Sequence, residues 1–146
     1  MRRYLLSYLA AYVASLAAFG GMLLIGIANW LFTDSPLWFD VLCVVVVCLP
    51  MLALGEVLGR RPKAKLVQKP IRGLLILLAV MATMGIASAL VESLQIFSWP
   101  GLLLGNAIQT LLGRGNYWDG AFILLGNLLL PALFHLGWYW GTTAAQ

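Results

Sequence analysis

One histidine, two cysteines and five acidic side chains are all that this chain of 146 residues offers to acid–base, nucleophilic or metal chemistry. Their spacing fits no catalytic or metal-ligating pattern. Cys43 and Cys48, in VLCVVVVCLPM, sit roughly 140° apart on a helix and so do not face one another for a disulfide. They read as small buried hydrophobes. A glycine-rich phosphate loop is missing as well, as is any polar stretch long enough to build a nucleotide-holding domain. Catalytic residues and bound metal are therefore expected to be absent.

Charge is scarce too. Only 10% of residues are charged while 62% are hydrophobic, and the mean hydropathy is +0.95. A water-soluble chain of this length could not hide so much apolar surface, whereas a bilayer absorbs it provided every backbone hydrogen bond closes inside a helix. The composition thus predicts an all-α integral membrane protein, folded as a single transmembrane helical domain over 1–146.

No charged residue interrupts Tyr4 to Thr33, and about 20 helical residues suffice to cross a hydrocarbon core of roughly 30 Å. The run is too long for a cleavable signal peptide, and it continues past Ile25 and Trp30. Four spans are predicted, over 4–33, 37–58, 73–91 and 117–140. Between the third and fourth lies FSWPGLLLGNAIQTLLG, residues 97–113. After Pro100 this stretch has only about 20 Å of helix before Arg114, short for a crossing. Gly105, Asn106, Gln109, Thr110 and Gly113 share one face, and Leu104, Ala107, Ile108, Leu111 and Leu112 the other. That pattern predicts a short interfacial or re-entrant helix, with a five-span chain as the alternative.

Lysine and arginine near the spans set the orientation, because they are retained on the cytoplasmic side. Arg2 and Arg3 precede the first span, and the loop 59–72 carries Arg60, Arg61, Lys63, Lys65, Lys69 and Arg72. With both inside, Arg114 alone is left outside in the four-span arrangement, and both termini are cytoplasmic. The expected location is a bacterial inner or plasma membrane. The loop cations are expected to meet anionic headgroups rather than nucleic acid, each contributing about 1 kcal/mol beside an acidic leaflet. Glu56 stands four residues before Arg60, a spacing that favours an ion pair. Of the remaining acids, Asp34 with Ser35 and Pro36 reads as a helix start, and Glu92, Asp40 and Asp119 as an external cation-attracting surface.

Aromatic residues mark the headgroup levels. Tyr4, Tyr8 and Tyr12 form a stripe along the first span that is expected to anchor it in the interface, and Trp138, Tyr139 and Trp140 do so at the end of the last. Small residues predict helix contacts. Ala10, Ala14 and Ala18, with Ala17 and Gly21, give the first span a small face; Ala79, Thr83 and Ala87, with Gly85 and Ala89, give one to the third.

Polar groups inside the last span point to a site. In NLLLPALFHLGWYWG, residues 127–141, Asn127, Pro131 and His135 recur at four-residue steps and drift only about 40° per step. Proline cannot donate to the carbonyl four residues before it, here that of Asn127. His135, Asn127 and Trp138 are the candidate ligand contacts. The seam could hold haem, chlorophyll or a quinone near His135, although no cofactor is required by the sequence. The plainer reading is a kinked helix whose histidine hydrogen-bonds a neighbour.

These features predict a small non-catalytic integral membrane subunit or assembly factor, stabilising a larger complex of membrane proteins. The alternative is a homo-oligomeric transporter or channel lined by Asn106, Gln109, Asn127 and His135. A membrane enzyme handling lipid or quinone ranks third.

Overall fold

Long charge-free runs leave the backbone one economical way to pair its N–H and C=O groups away from water, which is the helix. The computed structural model describes residues 1–24, 26, 36–62, 64, 70–113 and 119–144, and five α-helices dominate them. They are α1 (Arg2–Leu24), α2 (Pro36–Gly59), α3 (Pro70–Leu90), α4 (Trp99–Leu111) and α5 (Gly120–Ala144), with a 3-10 segment, Glu92–Ser98, leading into α4. Four of them, α1, α2, α3 and α5, are long and apolar enough to cross a membrane. The predicted spans 37–58 and 73–91 coincide with α2 and α3, and α5 lies slightly later than the predicted 117–140. Apart from Gly26, the part of the predicted first span beyond Leu24 lies outside the described residues.

Helix starts follow local chemistry. Pro36 and Pro70 open α2 and α3, where the missing N–H costs nothing and φ is already helical. Asp119 caps α5, its Oδ1 accepting a hydrogen bond from the Ala121 N–H at 2.9 Å.

The last helix is the hub. Its broadest contacts are with α2, then α4 and α3, whereas α1 rests chiefly on α2. Helices α2 and α5 run parallel and touch backbone to backbone. A Cβ built on Gly55 would meet the carbonyl of Phe134 and the amide of Trp138; on Gly59, the carbonyl of Trp138; on Gly137, the carbonyl of Leu52; on Gly141, the carbonyl of Glu56. These are two G-x-x-x-G pairs, GEVLG and GWYWG, set into each other. Helix α1, antiparallel to α2, is tied to it by Ser15 Oγ, which donates to the carbonyl of Val47 at 3.1 Å.

The expected short helix within 97–113 is present as α4, and its polar face is not turned to solvent. From Pro100 to Thr110 no residue is exposed, so the polar face meets protein as the apolar face does. It runs antiparallel to α5, with Gly101 opposite Asn127 and Gly105 opposite Phe122, and Gly126 lying against the carbonyl of Gly101. Ala107 joins Phe19, Met22 and Cys43 in a small core between α1, α2 and α4. The other half of the bundle is filled by Tyr4, Tyr8, Ala11, Val47, Met51, Leu130, Phe134 and Trp138.

The predicted small faces point elsewhere. Ala10, Ala17 and Ala18 are exposed and Ala14 is half-buried, while Ala79, Thr83 and Ala89 are exposed. Of the residues named there, Gly85 alone is buried, against Leu124 and Asn127 of α5.

Candidate functional site

Two polar positions on α5 serve different neighbourhoods. His135 Nδ1 lies 2.8 Å from the Tyr4 hydroxyl, a hydrogen bond between α1 and α5. Tyr4 is fully buried. Its ring covers Gly73 of α3, where a Cβ would stand 2.6 Å from the ring edge, and meets Phe134 and Trp138 edge-on with centroids 5.4 and 5.1 Å apart. Tyr8 meets Phe134 in the same way at 5.5 Å. The two innermost tyrosines therefore fill the space between α1 and α5 rather than anchoring α1 at a headgroup belt. Their rings set the spacing of the helices, since α1 has no glycine at this level and cannot approach α5 as closely as α2 does.

Asn127 is also fully buried, two turns earlier and on the side of α3 and α4. Its Nδ2 donates to the carbonyl of Ile123 at 2.9 Å, and its Oδ1 has no hydrogen-bond partner among the described residues. The side chain fills the notch over Gly101, where any Cβ would stand 2.5 Å from its Cγ and Oδ1. Between Asn127 and His135 stand Leu130, Pro131 and Phe134, all buried. The structure therefore brings His135 and Trp138 together around Tyr4 and places Asn127 in a separate packing environment. The Tyr8 hydroxyl, Asn106 Oδ1 and Gln109 Oε1 likewise lack hydrogen-bond partners among the described residues.

The junction between α3 and the 3-10 segment is polar as well. Ser88 Oγ of α3 and Ser98 Oγ lie 2.5 Å apart, Ser88 Oγ also donates to the carbonyl of Met84 at 2.8 Å, and Gln95 Nε2 donates to the carbonyl of Ser88. These bonds pin the 3-10 segment to α3 and aim α4 back along α5.

The predicted acidic surface is dispersed. Asp40 is 7% exposed, on the inward stripe of α2 that continues through Cys43, Val47 and Met51, so it does not present a charge outward. Asp119 is exposed and occupied as the cap of α5. Glu92 opens the 3-10 segment, and its side chain is outside the described set. Among the described residues no group of histidine, cysteine and acidic side chains could hold a metal ion.

Among the loop cations, Arg60 pairs with Glu56 across one helical turn, as the spacing predicts. Arg61 and Arg72 are exposed, and Lys63, Lys65 and Lys69 lie outside the described residues. Arg2, Arg3, Arg60, Arg61 and Arg72 all fall at one end of the bundle, where α1 and α3 begin and α2 and α5 end.

Compared with protein-family models, curated proteins and solved structures, the chain matches none. Sequence reasoning missed the glycines that join α2 to α5 and α4 to α5. The signal was present in three four-residue steps, Gly55 with Gly59, Gly101 with Gly105, and Gly137 with Gly141.

Proposed function

We propose that this chain is a small integral membrane protein that crosses the bilayer four times and serves as a non-catalytic subunit or stabilising factor of a larger membrane complex. In this reading the 3-10 segment and α4 form a hairpin that enters and leaves from the external side, and the cationic end with both termini lies in the cytoplasm.

The observation that carries it is the outward stripe of small residues on α1, with Ala10, Ala17 and Ala18 exposed while α1 makes its internal contacts through Tyr4, Tyr8, Ala11 and Ser15. Small residues facing lipid give no advantage to a lone helix, but they let a second helix approach closely, where dispersion and weak backbone contacts accumulate. The filled centre, with Tyr4, Val47, Met51, Leu130 and Phe134 fully buried, favours a scaffold over a conduit.

The test is mild detergent extraction of the tagged protein, size separation and mass spectrometry. Larger membrane proteins in stoichiometric amounts are expected, and Ala10→Ile combined with Ala18→Ile, both at exposed positions, should release them while the chain stays folded. A homo-oligomer that passes solute across liposomes would instead favour a transporter. That second reading is supported by the unpartnered buried oxygens of Asn106, Gln109 and Asn127.

A further inference from the structure

The cationic end of the bundle holds a cleft of about 320 Å³ that lies apart from the small-residue stripe. Arg3 and Ser7 of α1 stand on one side, and Arg61, just past the end of α2, on the other. The other described lining residues are apolar, Leu6, Leu58, Ala64 and Trp138. The indole is held from behind by Tyr4 and Phe134, with centroids 5.1 and 6.0 Å away, so that wall is rigid.

Neither arginine has a counter-charge among the described residues. Among the described residues the one ion pair is Arg60 with Glu56, which leaves Glu56 committed, and Asp40 and Asp119 lie toward the opposite end, where α2 and α5 begin. Two like charges brought to one cleft from distant parts of the chain repel each other until an anion sits between them. A guanidinium presents a planar fork of N–H donors that matches the oxygens of a phosphate, and Ser7 adds a hydroxyl donor at the same wall.

We propose that this cleft binds the phosphate of an anionic phospholipid. Arg3 and Arg61 clasp the phosphate from two sides, Ser7 donates to it, and the first carbons of an acyl chain lie along Leu6 and Leu58 against Trp138. The apolar lining is what selects a lipid over free phosphate, which would leave that surface bare. The assignment rests on the membrane reading above, because it needs the cationic end to lie at headgroup level.

The experiment uses the full chain purified in mild detergent, with native mass spectrometry after addition of phosphatidylglycerol or phosphatidylcholine. Three proteins are compared: the parent, the double variant Arg3→Gln with Arg61→Gln, and a charge-matched control, Arg2→Gln with Arg72→Gln. All four positions are exposed, so folding is expected to survive. The parent and the control should retain phosphatidylglycerol, and the cleft variant should bind it roughly 30-fold more weakly, as expected for two lost charges of about headgroup strength. Equal weakening in the cleft variant and the control would mean diffuse attraction and overturn the proposal. So would equal retention of phosphatidylcholine by the parent, or inorganic phosphate at millimolar concentration displacing a lipid-free anion with no phospholipid retained. Carbonate extraction of the native membranes is read separately. Release of the chain by carbonate would sink the membrane reading itself, whereas retention without lipid selectivity would sink only the cleft.

Discussion

Tyr4 joins three helices through one side chain, and its parts separate by substitution. Tyr4→Phe removes the bond to His135 and keeps the ring over Gly73, so a loss of about 0.5–1 kcal/mol is expected. Tyr4→Ala also removes the ring that spaces α1 from α5, and about 3–5 kcal/mol should be lost. Denaturation of the purified protein in mixed detergent reads both values. Pairing Tyr4→Phe with His135→Phe should give a coupling close to the single-variant loss, since the hydroxyl and imidazole are partners; a coupling near zero would break that assignment. The histidine is thus hydrogen-bonded to a neighbour on another helix. The sequence marked Tyr4 as one of an aromatic stripe but gave no means of telling a headgroup belt from a core, because an amphipathic ring suits both.

Close approach decides the behaviour of whole elements. Gly137→Leu would drive a side chain into the carbonyl of Leu52, while Gly20→Leu meets nothing within 4 Å. The first should cost about 3 kcal/mol or prevent folding, and the second should be nearly neutral, as thermal melts followed by circular dichroism will show. The same logic applies to α4. Gly105→Leu meets the carbonyl of Phe122 and should push the short helix from its slot, and the readout is maleimide labelling of Leu104→Cys in a chain with Cys43 and Cys48 replaced by Ala. Leu104 is buried in the parent and should label slowly there, then rapidly once the slot is overfilled.

Helix existence and extent were legible in the sequence, since length without charge has one solution in lipid. Which faces meet was not. Ala10, Ala14 and Ala18 carry the same spacing signal as Gly55 and Gly59, yet Ala10 and Ala18 are exposed and the glycines face α5. Lipid is as apolar as a helix surface, so periodicity cannot say which side a protein neighbour occupies. The amphipathic pattern of 97–113 was ambiguous for a related reason. Its polar face meets protein rather than water, with Gln109 buried and Asn106 half-buried.

At the scale of the molecule, the up-and-down order and the clustering of the described arginines at one end make topology the first test. Reporter fusions after residue 1 and after residue 144 should both report the cytoplasm, and one inserted between residues 114 and 118 should report the exterior. A C-terminal reporter on the far side would require α4 to cross, against its antiparallel run beside only the first part of α5.

The central position of α5 also bears on how the chain is made. In the membrane reading, translation delivers α1, α2 and α3 to the bilayer before the helix that binds them is synthesised. Through that interval the notches at Gly55 and Gly59 stand open, and α3 has only slight contact with α1. A ribosome that stalls before residue 120 leaves a product with three inserted helices and no keystone, an apt substrate for membrane proteases. Pulse-labelled chains ending at residue 113 should therefore turn over much faster than chains ending at residue 144, even though both carry the same first three spans.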